Sequence, residues 1–154
     1  MATGGSAARG DGRDTFPKLL AGLVQTRPNA PAYREKEYGI WQTYDWTQVD
    51  REVRRLAAGL ADLGFGRGDK LIVVGDNRPR LYWAMCAAQC LGGIPVPLYQ
   101  DAVAAEMAFP IQNAGITHAV AEDQEQVDKL LEILPQCPSL EHIYFDEPRG
   151  MRNY

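Results

Sequence analysis

Gly75-Asp76-Asn77-Arg78-Pro79 lies between an apolar, β-branched run and a helix-like stretch. At such a place an open α/β sheet offers backbone N–H groups and a helix N-terminus to an anionic ligand. Phosphate binding is the chemistry to look for there, but the glycines for it are missing. The chain has neither G-x-G-x-x-G nor G-x-x-x-x-G-K-[ST], so a structural turn is the favoured reading. Gly64, Gly66 and Gly68 are spaced glycines that precede a strand instead of following one, the wrong context for a dinucleotide fingerprint. His118 and His142 sit in apolar strand-like runs with no second histidine or cysteine at metal-ligand spacing, and read as core or sheet-edge histidines. Ser6 and Ser139 stand outside any G-x-S-x-G elbow, so a hydrolase triad is not supported. Asp101 and Glu106 can reach the carboxyl edge of a strand, yet without an identifiable partner they read as surface or capping carboxylates. Cys86, Cys90 and Cys137 are odd in number and form no C-x-x-C pair, which points to buried free thiols. Tyr82 and Trp83, with Trp41, Tyr44 and Trp46, are expected to build core. No residue is thereby assigned a catalytic, cofactor-binding or metal-ligating role.

The frame that must position these groups is a βαβ unit from Lys70 to Tyr99. Leu71 to Val74 has the continuous apolar pattern of a strand buried on both faces. Pro79 suits the first turn of a helix that runs to about Leu91, where Gly92-Gly93 ends it, and Ile94 to Leu98 supplies a second, parallel strand. Upstream, Thr15 can cap a helix whose Phe16, Leu19, Leu20, Leu23 and Val24 share a face, closed by Arg27-Pro28-Asn29. Ala32 to Glu35 and Ile40 to Tyr44 form a hairpin around Lys36 to Gly39. Asp45 and Gln48 make a capping box ahead of a stripe of Val49, Val53, Leu56, Ala57, Leu60 and Leu63, opposite a mixed-charge face that reads as solvated. Downstream, the spacing gives a helix over Val103 to Ala114, interrupted or kinked at Pro110, and a strand over Thr117 to Ala121. A helix opened by Glu122-Asp123 follows, with Val127, Leu130, Leu131 and Leu134 inward, and then a strand from His142 to Phe145. Strands alternating with helices mean an α/β fold with a mostly parallel, doubly wound sheet of Rossmann or flavodoxin type, plus the hairpin.

Composition narrows the partners. The chain has 154 residues, 45% apolar and 23% charged, which suits one globular domain. Sixteen basic against twenty acidic residues give a net charge of −4, without the basic field that nucleic acid requires. No apolar run approaches the roughly 18 residues that span a bilayer, and the N-terminus has no apolar signal core. Cytoplasm is the expected location. Residues 1–14, MATGGSAARGDGRD, are expected to form a disordered tail, with 15–154 as the domain.

Trp41 to Val49, WQTYDWTQV, resembles the first core motif of the adenylate-forming superfamily, which holds AMP-forming acyl-CoA synthetases, firefly luciferase and peptide-synthetase adenylation domains. Gln89 to Leu98, QCLGGIPVPL, resembles the second. Gly75 to Pro79 with Trp83 is similar to the asparagine-arginine-proline-glutamate-tryptophan segment of long-chain fatty acid members, and Ala121 to Leu130 to one bacterial long-chain branch. Arg80 stands where members often have glutamate, and Asp45 replaces the usual threonine cap while preserving its chemistry.

The resemblance implies a partial N-terminal subdomain of the adenylate-forming fold, from a long-chain fatty acid–CoA ligase. In such an enzyme a carboxylate and ATP give an acyl-adenylate and pyrophosphate with magnesium assisting, and the thiol of CoA then displaces AMP. Fatty acid, ATP and CoA are the partners implied for the whole enzyme, with a homodimer allowed. The Ser/Thr/Gly-rich phosphate loop, its lysine and the other catalytic segments of the family have no counterpart here, so the resemblance implies an inactive, truncated piece with no cofactor of its own. The alternative is a non-catalytic α/β module that binds a small molecule or a protein. A nucleotide-dependent oxidoreductase is weakest, because no dinucleotide fingerprint accompanies the βαβ unit.

Overall fold

The computed structural model describes residue 12 and residues 14–152. Apart from Gly12 and Asp14, the expected tail lies outside the described residues.

The fold begins with helix α1 (Phe16–Thr26), strands β1 (Pro31–Glu37) and β2 (Ile40–Asp45), and helix α2 (Trp46–Asp62). There follow β3 (Lys70–Val74), α3 (Pro79–Cys90), β4 (Ile94–Leu98), α4 (Ala104–Ala114), β5 (His118–Ala121), α5 (Gln124–Ile133) and β6 (His142–Phe145). Local chemistry explains most boundaries. The Thr15 hydroxyl accepts from Lys18 N to start α1. The capping box of α2 is complete, with Gln48 N donating to Asp45 Oδ1 and Asp45 N to Gln48 Oε1, both at 2.8 Å. The hairpin is tighter than expected: only Tyr38 and Gly39 turn, both at positive φ (48° and 80°), as a type I′ turn demands. Pro110 lies inside α4, as expected, and Asp123 caps α5.

The parallel sheet has the order β4-β3-β5-β6. In chain order this is second-first-third-fourth, the flavodoxin arrangement. The crossover helix α3 packs on one face, where the chain moves from β3 outward to β4. Helices α4 and α5 pack on the other, where it moves back to β5 and on to β6, as uniform crossover handedness requires. Two cores result. Leu71 and Val73 pack with α2 and α3 on one side, and Ile72 and Val74 with α4 and α5 on the other, so β3 is closed to solvent on both faces.

Several expected core positions lie elsewhere. Phe16 and Leu19 are exposed, and of the α1 stripe only Leu20 is fully buried. On α5 the buried set is Gln126, Val127, Leu130 and Ile133, while Leu131 is 39% exposed, because the short helix meets the sheet one position earlier in its turn. Trp41 is also outside the core, at 59% exposed with the Arg34 guanidinium 5.3 Å over its ring. Of the five aromatics expected in the core, Trp83 is the buried one, met edge-on by Tyr44 at 5.0 Å and Tyr33 at 6.4 Å, and this cluster fastens the hairpin to α3. Cys137 is buried as expected, whereas Cys86 is half-buried and Cys90 exposed.

The two edges of the sheet differ. Ile94 N donates to Asp69 O at 2.8 Å, so the N–H groups at 94, 96 and 98 face β3 and positions 95 and 97 face outward. Those outward positions are Pro95 and Pro97, which have no N–H to offer. On β6, Asp146 N donates to Ala121 O, which turns the N–H groups of Ile143 and Phe145 outward. One edge is closed to further pairing and the other is open. Replacing both Pro95 and Pro97 by Thr is expected to leave the urea-unfolding free energy within about 1 kcal/mol of wild type while increasing self-association, read by light scattering against concentration.

Candidate functional site

The strand order places the topological switch point between β3 and β5, at the loop singled out by sequence. Gly75 leaves β3 with φ 150°, and Arg78 and Pro79 bring the chain into α3. Across the crevice β5 ends at Ala121, and the next residue, Glu122, points back. Its Oε2 accepts from Asp76 N and its Oε1 pairs with Arg78 Nε. Glu122 N in turn donates to Val74 O at 2.9 Å. The backbone donor that would meet a phosphate is therefore taken by a carboxylate of the chain itself. Sequence reading treats Glu122 only as a helix opener, since its partner loop is 46 residues away and becomes a neighbour only through the strand order.

The surrounding edge is charged. Arg80 Nη1 donates to Asp146 Oδ1 and Arg149 Nη2 to Glu147 Oε2, each at 2.8 Å, and the Tyr44 hydroxyl donates to Glu35 Oε1 at 2.7 Å. Burial, helped by Glu35, pushes the Tyr44 phenol up to about 12. Burial likewise lifts Glu122 above the ordinary glutamate value of 4.5, with Asp76 N and Arg78 pulling the other way. Six carboxylates, Glu35, Glu37, Glu122, Asp123, Asp146 and Glu147, line this crevice against three arginines, each already paired. Such an edge repels a triphosphate, and the residues present do not fit ATP. Among the described residues no group of three or more His, Cys, Asp or Glu is placed to hold a metal ion.

The remaining candidates fall into structural places. Glu106 reaches back to Val103 N at 3.3 Å, a capping role, and Asp101 accepts from the exposed Tyr99 hydroxyl. Ser139 contributes nothing to the crevice, and Ser6 lies outside the described residues. The two histidines, remote in sequence, are brought together by register: His118 pairs with His142 across β5 and β6, their ring centroids 4.8 Å apart. His118 Nδ1 meets the Thr117 hydroxyl at 2.7 Å, and its Nε2 is buried with no partner among the described residues, so this core histidine is only half satisfied. Gly66 N donates to Asp69 Oδ2 at 2.7 Å, a turn with no ligand geometry. On the α2 side of the sheet, a groove of about 510 Å³ runs between Leu56, Leu60 and Leu63 of α2 and Val120, Tyr144 and Phe145. Arg51, Glu52 and Arg55, expected to be merely solvated, flank it.

The sequence model of the AMP-binding enzymes matches residues 21–152. The chain belongs to the AMP-binding enzyme family. It is 36% identical over 103 residues to an uncharacterized protein of Mycobacterium tuberculosis, covering 67% of this chain and 57% of that one. It is 31% identical over 122 residues to long chain acyl-CoA synthetase 3 of Arabidopsis thaliana, covering 75% of this chain and 17% of the synthetase. Among solved structures, the N-terminal domain of FACL13 from M. tuberculosis superposes with a TM-score of 0.76 at 19% identity, over 84% of this chain and 33% of that one. A putative long-chain-fatty-acid CoA ligase from Rhodopseudomonas palustris gives 0.76 at 20% identity, over 86% and 33%. These likenesses establish the doubly wound fold as that of acyl-CoA ligase N-terminal domains. The chain spans just over half of the mycobacterial relative and under a fifth of the plant synthetase.

A raised folded-state pKa means that the folded chain holds the Glu122 proton more tightly than the unfolded one. The contribution of Glu122 to stability is then fullest below 4.5 and declines as pH rises through the folded-state value. Glu122→Gln keeps an acceptor and abolishes the titration, so its urea-unfolding free energy relative to wild type is expected to shift in its favour between about pH 4 and pH 7. Glu122→Ala leaves Asp76 N without its acceptor while the half-exposed Arg78 turns to water, and at pH 7 is expected to cost about 1–3 kcal/mol. At Gly75 an added Cβ would come under 3.0 Å from Cβ and Oε2 of Glu122 and from Cδ1 of Leu81. Gly75→Ala is expected to cost at least about 2 kcal/mol in the same assay.

Proposed function

We propose that this chain is the N-terminal scaffold of an AMP-forming long-chain fatty acid–CoA ligase, and that it does no chemistry by itself. The family match over residues 21–152 carries the ligase assignment. The self-filled switch point supports the scaffold role: the Asp76 N–H that this fold would offer to phosphate already donates to Glu122, which also pairs with the Arg78 side chain. The long-chain substrate class rests on the similarity to the plant long-chain synthetase and to long-chain-fatty-acid–CoA ligase FadD15 of M. tuberculosis, which is 23% identical over 118 residues. Fatty acid, ATP, magnesium and CoA would then be handled by other parts of such an enzyme, and the residues here would hold the sheet on which those parts build. The reading carries a cytoplasmic setting with it and allows a homodimer. No helix among the described residues is long and apolar enough to cross a membrane.

Two measurements test it. The 154-residue chain, given palmitate, ATP, magnesium and CoA, is expected to release neither pyrophosphate nor palmitoyl-CoA. A chimera in which residues 21–152 replace the matching segment of FadD15 is expected to unfold cooperatively and keep palmitoyl-CoA formation within roughly tenfold of the parent. Palmitate-dependent ATP cleavage by the isolated chain would overturn the scaffold role. A cooperatively folded but inactive chimera would favour the non-catalytic module instead.

A further inference from the structure

Natural sheets guard their edges, because a strand with unpaired N–H and C=O groups is a template for any other extended chain. Here only one edge is guarded. β4 carries Pro95 and Pro97 at its outward positions, whereas β6, His142–Phe145, has no proline, no lysine and no break in its register. The backbone groups of His142, Tyr144 and Asp146 turn toward β5, and those of Ile143 and Phe145 turn outward. Phe145 is also 45% exposed, an apolar side chain at the end of an unpaired edge. A two-fold axis pairs an edge with itself antiparallel, and the outward residues must meet one another. Three registers do this along β6. Ile143 against its own copy puts Glu141 opposite the partner's Phe145, and Phe145 against its own copy puts Glu147 opposite the partner's Ile143. Ile143 against the partner's Phe145 matches the groups instead: that apolar pair forms twice, His142 meets the partner's Asp146 twice, and Tyr144 meets its own copy. Glu141 then falls opposite the partner's Glu147, a residue whose charge Arg149 offsets within each chain.

We propose that β6 is a self-recognition edge: two copies of this chain pair β6 with β6 antiparallel about a two-fold axis at Tyr144, joining two four-stranded sheets into one. Each Ile143–Phe145 pair exchanges two backbone hydrogen bonds, and Tyr144 sits at the close, non-hydrogen-bonded position between them. The dimer is closed. It uses both open edges, and the prolines of β4 keep the joined sheet from growing at its far ends. A four-residue strand from each copy makes a contact at the low end of interface sizes, so the dimer is weak, with a dissociation constant of about 10–200 µM. None of this depends on the ligase reading.

The test is sedimentation of the 154-residue chain, kept reduced, from about 5 µM to about 1 mM. The mass is expected to rise from 17.1 kDa toward twice that value and no further. Phe145→Pro copies onto β6 the device of β4 and removes an N–H that β5 does not use, so it is expected to keep the circular dichroism of wild type and weaken dimerisation at least about tenfold. Tyr144→Cys, oxidised at high concentration, is expected to form a disulfide with its own copy, since Cα atoms at such a pair lie about 4.5 Å apart; Ile143→Cys is expected to form none. In wild type, amide exchange at Ile143 and Phe145 is expected to slow at least about threefold from the lowest to the highest concentration, while the Tyr144 amide, bonded to β5, is unchanged. The proposal is overturned if the chain stays monomeric at the highest concentration, if association runs past the dimer or survives Phe145→Pro, or if Ile143→Cys cross-links as readily as Tyr144→Cys. Concentration-independent exchange at Ile143 and Phe145 also overturns it, and that measurement on wild type decides the matter even if a variant fails to fold.

Discussion

Everything in this molecule is arranged around one strand that has no face left for water. Leu71 and Val73 on one side and Ile72 and Val74 on the other are all closed off, so β3 requires helices above and below it. A fully buried strand must also pair on both edges, because an unpaired backbone group in such a place costs about as much as a lost hydrogen bond. β4 and β5 meet that demand. The hairpin and α1 are attached later in the hierarchy, through the aromatic cluster around Trp83 and the contacts of Leu20.

The central strand also decides what the crevice at its end can do. In a doubly wound sheet the gap between the first and third strands is where ligands enter, and here the chain spends that position on its own tertiary structure. Glu122 bridges the Asp76 N–H and the Arg78 guanidinium, so it fastens β5 to the turn that starts α3. Burial opposes the charge and the two donors favour it. The site is thus a clasp between elements.

What could be read from the sequence was what is local. The α2 capping box, the β3-α3-β4 unit, the Thr15 cap and the alternation of strands and helices all depend on residues within a few positions of one another, and the structure contains each of them. What the sequence concealed depends on strand order or on helix orientation. Glu122 and Asp76, like His118 and His142, become neighbours only because particular strands lie side by side. The inward face of α5 differs from expectation at Leu131 because leucines at 130 and 131, with Leu134 just past the end of the helix, support two overlapping stripes, and the burial of Ile133 selects between them. Cys90 departs from the expected burial for a related reason: the buried face of α3 runs through Ala84, Ala87 and Ala88, which turns position 90 outward.

The unequal edges of the sheet bear on how the chain is made. Strands leave the ribosome in the order β3, β4, β5, β6, and with Pro95 and Pro97 facing outward, β4 closes its side as soon as it has paired. From then on the nascent sheet has a single adhesive flank, borne first by β3, then by β5 and last by β6. Each new strand therefore has one flank to join, the one that leads from β3 through β5 to β6.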